Sequence, residues 1–491
     1  MYSKGVVIVR NTNKSDSSTD YQMELVCVEQ LVPQDHLLRV IHDHVDFSFI
    51  TELTRPYYTA TTGRPPIDPI VLFKMMLIGY LFNIRSERQL EKEIFPNAAY
   101  RWFLGLRFVD KVPDHSTISF NRNNRFAGTN LFQEIFEEVV RLAMQHHMVA
   151  GRVLITDSTH VRADANNNAY TVQVIEKTPH EYLEELHQAV NEDRELHEKK
   201  PLAPKEEVEV TKHKVSTTDP DCGFMNRRNK PEGFHYLDHR TVDHKFNIIT
   251  DVHVTSGNVN DSTVYLERLQ RQIQTFGFDT TLEAVLLDSG YMTPYICKKT
   301  LEMNIFPVIN YRQASSTPGL LAKSDFIYDS EQDVYICPAR QQLSYYTTNR
   351  AGYREYVSAP NSCASCPMLP QCTQAENKQR KIQRHIWEEH KEQVMINRKS
   401  PEGEALYRLR AQTIERSFAD AKNLHGYRRS RLRGINKMRE QSLMTAISQN
   451  LKKIARHLAR KEAHVGGLQH GHALFLPINT KCRSVTQTPA A

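Results

Sequence analysis

VLITDSTHV at residues 153–161 and LEAVLLDSGYM at residues 282–292 are the stretches on which the fold turns. Each is a short apolar run that ends on an aspartate, Asp157 in the first and Asp288 in the second. A run of that length and composition reads as a buried strand. A strand that stops on a carboxylate would leave that group at the rim of a sheet. Around them the pattern alternates. Leu131, Phe132, Ile135, Phe136, Val139, Val140, Ala143 and Met144 recur at helical spacing just before the first run. GFHYLDHRTVDHKFNIITDVHVTSG (233–257) predicts antiparallel strands about a turn at DHK. A helix from roughly Ser262 to Phe276 follows, and IFPVINYR (305–312) is the next strand. The fold class expected is therefore α+β or α/β and multidomain, with a mixed sheet.

A third carboxylate sits on a predicted helix from about Glu402 to Leu424. The local sequence, YRLRAQTIERSFADAKNLHGYRRSRLRG (407–434), sets Glu415 and Lys422 seven residues apart and so on one face. Asp157, Asp288 and Glu415 together are the donor set that two-metal phosphoryl transfer uses. Hard oxygen ligands suit a pair of Mg²⁺ or Mn²⁺ ions about 4 Å apart, one activating a water or 3′-hydroxyl and the other stabilising the leaving oxygen. Taken singly, each carboxylate is weak evidence, since an Asp after a strand is more often a turn residue and a Glu on a helix more often solvated.

The charge pattern points to a polyanion. Net charge is +6 overall, but residues 408–461 hold fifteen Lys and Arg against three Asp and Glu. Concentrated basic charge is the footprint of nucleic acid, although a solvated helix face has the same composition. Within it, Arg428, Arg429, Arg431 and Arg433 adjoin Tyr427 and could grip phosphates or stack on a flipped base. His160, His235, His239 and His253 fall near the strands and could touch DNA, or be satisfied internally.

Residues 23–126 read as helices with clear punctuation. Asp68 caps a helix with Pro69 at its first position, Ser86 caps another that Pro96 ends, and a third begins near Asp114. Short helices with a basic last member are compatible with a helix-turn-helix DNA reader. Residues 176–210, with eleven acidic and five basic residues, read as a surface helix and linker.

Four of the eight cysteines, Cys337, Cys363, Cys366 and Cys372, fall within 36 residues. A CxxC knuckle flanked by two more cysteines suits a closed structural Zn²⁺ site, the other reading being four reduced thiols. The longest apolar run, Pro69 to Phe82, is too short to span a bilayer. The N-terminus lacks the apolar core of a signal peptide. A cytoplasmic protein is expected.

These motifs resemble the DDE transposases of bacterial insertion sequences, especially the insertion-sequence 1182 family within the insertion-sequence 4/5-like superfamily. The resemblance rests on GRPPIDPIVLFKMMLIGYLFNIRSERQLEKEI, LITDSTHVRADAN, STTDPDCGFMNRRNKPEGFHYLDHRTVD, VTSGNVNDS, LLDSGYM and the helix around Glu415, and covers most of residues 25–440. It implies a ribonuclease-H-like catalytic domain, metal-dependent cleavage at the element's ends and strand transfer into target DNA. It implies roles for Tyr407, Arg410, Glu415 and Lys422 as the tyrosine, arginine, glutamate and lysine of the family's helix. Glu415 and Lys422 keep the family spacing, whereas four residues separate Arg410 from Glu415 where the related signature has three. Tyr407, Arg410, Lys422, Arg428, Arg429, Arg431 and Arg433 are the expected DNA contacts. The expected partners are double-stranded DNA, as terminal inverted repeats and target, and a second copy of the chain assembled on it.

The expected organisation is an N-terminal arm (1–22), a helical DNA-binding domain (23–148), a catalytic domain (149–324 with 391–440), a Cys-rich insertion (325–390), a C-terminal basic helix (441–462) and a disordered tail (463–491). Two other functions fit the same residues. One is a transposase-derived DNA-binding protein without catalysis, and the other a nuclease indifferent to end sequence.

Overall fold

A computed structural model describes residues 27–58, 67–176, 181–203, 210–226, 232–312 and 318–469. The predicted arm and all but the first residues of the predicted tail lie outside them. The N-terminal helices form where the caps require. Asp68 accepts a hydrogen bond from the Ile70 amide at the start of helix Pro69–Leu81, Ser86 caps Glu87–Ile94, and Asp114 caps His115–Phe120. Helix Pro69–Leu81 is apolar all round and buries nine of its thirteen residues, so it is an interior element, not a surface one.

The central sheet has six strands. Strand Val153–Arg162 lies in the middle, antiparallel to Gly233–Asp243 on one side and parallel to Ala284–Leu287 on the other. Phe306–Ile309 extends the parallel side. Ile249–Ser256 and the short Gly223–Met225 pair with the far edge of Gly233–Asp243. The turn expected at DHK closes through Asn247, whose φ of 58° is the left-handed value that asparagine tolerates.

One expectation changes here. Val153–Arg162 does not stop at Asp157 but runs five residues further, because Ser158 to Arg162 keep a full antiparallel partner in His235 to His239. Asp157 is a mid-strand residue, whereas Asp288 does stand just beyond its strand.

The boundary expected at 148/149 is not a physical one. A single apolar core runs from Leu38, Phe73 and Phe136 in the N-terminal helices through Leu154 and Leu286 in the sheet to Met444 and Ile454 in the last helix. That helix, Ile435–Gln469, is also not a separate basic appendage. Its middle packs against helices Leu37–His44, Pro69–Leu81 and Leu131–Gln145 and against strand Ile249–Ser256, which explains why Met438, Leu443, Ile447 and Leu451 are buried.

The Cys-rich insertion forms its own five-stranded antiparallel meander between Ile327 and His385, with a core of Phe326, Tyr335, Leu343, Tyr356 and Ile382. The acidic segment is more than a linker. Its helix, Glu181–Leu196, buries Leu186 and Val190 against Trp387 and ties Asp193 to Arg354 of the meander. It is flanked by a two-stranded ribbon, Tyr170–Glu176 with Val210–Ser216, that no sequence signal announced. Among the described residues no helix is long and apolar enough to cross a membrane.

Candidate active site

Register brings the two aspartates together. Val153, Leu154 and Ile155 pair in parallel with Ala284, Val285 and Leu286. Asp157 lies two residues past the end of this pairing on the longer strand, and Asp288 stands just past the end of Ala284–Leu287. Asp288 then leaves the sheet and caps the turn Ser289–Tyr291 through the Ser289 amide at 2.6 Å.

The third element crosses that face. Helix Pro401–Arg410 continues without interruption through a π turn, Ala411–Glu415, into helix Arg416–Leu424. Arg410 donates to Asp157 Oδ2 at 2.6 Å and to the carbonyls of Thr156 at 3.1 Å and Leu286 at 3.3 Å. Further along, Lys422 Nζ donates to Thr159 Oγ1 at 2.5 Å, two residues past Asp157 on the same face of the strand. Glu415 lies between these two attachments in sequence, exposed to solvent. Single π turns inside α-helices accommodate one extra residue and recur at functional sites. This one spans the additional residue between Arg410 and Glu415, with Arg410 buried against the sheet and Glu415 exposed. Tyr407 is half-buried beneath the guanidiniums of Arg398 at 4.1 Å and Arg410 at 5.6 Å.

The electrostatics follow from this packing. Burial pushes the Asp157 carboxyl up to about 6, with Asp288 and Asp261 adding to the rise while Arg410 and the Ser158 amide pull the other way. Asp261 was not anticipated. It is the first residue of helix Asp261–Phe276, and NVNDST in sequence signals only a helix start. Its Oδ1 accepts from Ser158 Oγ at 2.7 Å.

Several expected DNA contacts are internal. Arg410 is buried and committed to Asp157 and two carbonyls, because it sits under the helix where the strands meet. Arg431 donates to the carbonyls of Ile84 and Gly79 and covers the Tyr80 ring at 4.1 Å, tying the C-terminal segment to an N-terminal helix. Tyr427 is fully buried against Ser442, out of reach of any base. His235 and His239 are likewise buried within the sheet. Arg428, Arg429 and Arg433 remain at the surface, the first two running beside Arg162 at the end of the central strand.

The four clustered cysteines line one cavity of about 20 Å³ together with Leu321, Phe326 and Arg380. The Gln341 amide donates to Cys337 Sγ at 3.2 Å, and the Cys366 amide bonds back to the Cys363 carbonyl. Burial raises the Cys372 thiol pKa, with Cys363, Cys337 and Cys366 as its near neighbours. No three of the sulfurs are mutually within 4.8 Å. A tetrahedral zinc site has an edge of about 3.8 Å, so the cluster would have to contract to hold one.

A family model described as a transposase domain (DUF772) matches residues 26–124, and one described as a transposase DDE domain matches residues 336–455. The second match contains Glu415 and the cysteines and leaves Asp157 and Asp288 outside. No curated protein matches. Among solved structures, the piggyBac transposase synaptic complex with hairpin DNA aligns over 87% of this chain and 75% of that one, at 10% identity and a TM-score of 0.32. The Mos1 transposase paired-end complex with left transposon end aligns over 51% and 61%, at 10% identity and 0.16. Likeness at those scores carries no argument.

Two measurements follow from the geometry. In cation-free protein, Asp157 has a folded pKa near 6 against about 3.9 unfolded, so it destabilises the fold once ionised. The wild type is then most stable, relative to Asp157→Asn, below pH ~4 and loses that standing as pH rises through 6. Between pH 4 and pH 7.5 the wild type should therefore lose up to about 3 kcal/mol of stability relative to Asp157→Asn. An equal difference at both pH values would contradict the burial argument. Separately, deletion of the exposed Ala411 should convert the π turn to α-helix and set Arg410 and Glu415 one α-helical turn apart. The shortened chain is expected to fold with an unchanged or raised melting temperature, and a fall of more than a few degrees would refute this reading of the turn.

With a transposase domain over residues 26–124 and a transposase DDE domain over residues 336–455, the chain is a transposase of the DDE class.

Proposed function

We propose that this transposase cuts DNA at the ends of an insertion sequence and joins those ends to target DNA, using Asp157, Asp288 and Glu415. The observation that carries the reading is the parallel pairing of Val153, Leu154 and Ile155 with Ala284, Val285 and Leu286, just ahead of Asp157 and Asp288, beneath a helix that bears Glu415 and bonds Asp157 through Arg410. A DDE domain implies dependence on a divalent metal. The oxygen donors fit a hard cation, and we take it to be a pair of Mg²⁺ or Mn²⁺ ions held by these three carboxylates. When bound, such a pair activates the attacking hydroxyl and stabilises the leaving oxygen.

The protein's own residues do the rest. Arg410 holds Asp157 and both strands in place. Lys422 offers a positive charge beside the carboxylates for a DNA phosphate. Arg162, Arg428 and Arg429 extend positive charge along the rim, where neutralising phosphates would make binding fall steeply with salt. The outward residues Ser116, Ser119, Phe120, Asn123 and Asn124 of the last short N-terminal helix and its π extension line an open groove suited to duplex DNA. The strand order supports a ribonuclease-H-like fold, three antiparallel strands continued by two parallel ones. The helix motif and aspartate motifs support placement near the insertion-sequence 1182 family. Joining two ends requires two active sites, and we infer a homodimer assembled on DNA. The cysteine cavity is read as a structural Zn²⁺ site, a reading supported by the four cysteines that line it together.

The test is cleavage of DNA carrying the element's ends. Wild-type protein should nick it only with Mg²⁺ or Mn²⁺, and Asp288→Asn should bind it equally well while cutting at least ~10³-fold more slowly. Binding without cutting by the wild type would favour a DNA-binding protein, and cutting indifferent to end sequence a general nuclease. Elemental analysis should find about one zinc per chain, lost in Cys366→Ser with a lower melting temperature. A zinc-free wild type that melts identically with and without chelator would remove the metal from the insertion.

A further inference from the structure

Asp261 touches the candidate site through Ser158. Its Oδ1 accepts from Ser158 Oγ at 2.7 Å and lies 3.9 Å from His239 Nδ1. Beside it is a small cavity of about 10 Å³, whose wall includes Asp261, His239, Tyr265 and Tyr291. His239 Nδ1, Tyr265 OH and Tyr291 OH are all buried there without a hydrogen-bond partner. The three residues are 4%, 3% and 1% exposed. The other ring nitrogen of His239 is held by Thr255 Oγ1 at 2.8 Å, which aims Nδ1 at Asp261. Buried polar atoms are nearly always paired, and a set left open beside a carboxylate marks a place arranged for more than packing. Asp251, on the same wall, is by contrast fully engaged by Arg268. Ser158 is the next residue after Asp157 on the strand, so this bond sets Asp261 beside the candidate metal ligands.

We propose that Asp261 is a positioning carboxylate of this active site. Through Ser158 it fixes the edge of the strand that carries Asp157, and with Asp157 and Asp288 it forms the negative field that draws in the divalent cation. The proposal rests on the two-metal reading above. Neither family match covers residue 261, which lies between them.

The test is direct Mn²⁺ binding by the full chain, followed by electron paramagnetic resonance without DNA, beside the Mn²⁺ dependence of end cleavage. Asp261→Asn should raise the half-saturating Mn²⁺ concentration at least fivefold in both, with melting temperature and DNA affinity unchanged. Asp261→Glu should return it to within twofold of wild type. A folded Asp261→Asn protein that binds Mn²⁺ like the wild type overturns the proposal. Should that variant fail to fold, Ser158→Ala decides the matter. Loss of the anchor should raise half-saturation at least twofold, and an unchanged value overturns the proposal. If Asp157→Asn leaves Mn²⁺ binding intact, the two-metal reading itself is wrong and the role of Asp261 falls with it.

Discussion

The guanidinium of Arg410 is the point where helix and sheet are joined. Its three bonds, to the Asp157 carboxylate and to the carbonyls of Thr156 and Leu286, tie one helix to two parallel strands. A planar cation with several donors suits this task better than lysine would, because it can serve both backbones and a carboxylate at once. The parallel pairing just ahead of Asp157 and Asp288 and the crossing of the helix over it are thus fixed by one side chain. Breaking a buried pair leaves a charge uncompensated, and Asp157, already pushed up to about 6, meets that by taking a proton.

A second buried pair supports the same crossing from beneath. Asp238 and Arg240 are fully enclosed, with Arg240 reaching Ser417 on the active-site helix and Gln449 on the last helix. An apolar pair of the same size could fill that space. It would not discriminate between neighbouring rotations of the two helices, whereas directed bonds from one guanidinium do. The arrangement therefore favours a single orientation of Glu415 and Lys422 relative to the sheet over greater stability.

Much of this was legible because it is local. Apolar runs stopped by Asp157 and Asp288, the caps at Asp68, Ser86 and Asp114, and the spacing of four cysteines are all short-range chemistry. The strand carrying Asp157 was read too short because its second half alternates polar residues whose partners lie some eighty residues away. Arg410, Arg431 and Tyr427 look like surface residues in a basic segment, and only tertiary packing reveals that they face carbonyls, a ring and a serine. The domain boundary failed for a similar reason. Periodicity identifies an apolar face but not which other face covers it, and here the N-terminal helices and the last helix cover each other. Asp261 was overlooked because an acidic residue in a first helical turn is so ordinary. The π turn falls in the same stretch as the extra residue between Arg410 and Glu415, and no linear comparison could show that.

The cysteine-bearing meander leaves from one side of the sheet and returns to it. The chain departs after strand Phe306–Ile309 and comes back in helix Glu388–Lys399, which packs on that strand and holds the Pro307 carbonyl through Asn397 at 3.5 Å. The two ends of the excursion are therefore pinned side by side whatever lies between them. Since closing a longer loop adds little entropy, the catalytic sheet acts as a socket. Modules of different size could be exchanged at that socket over evolution while the carboxylates stay where they are.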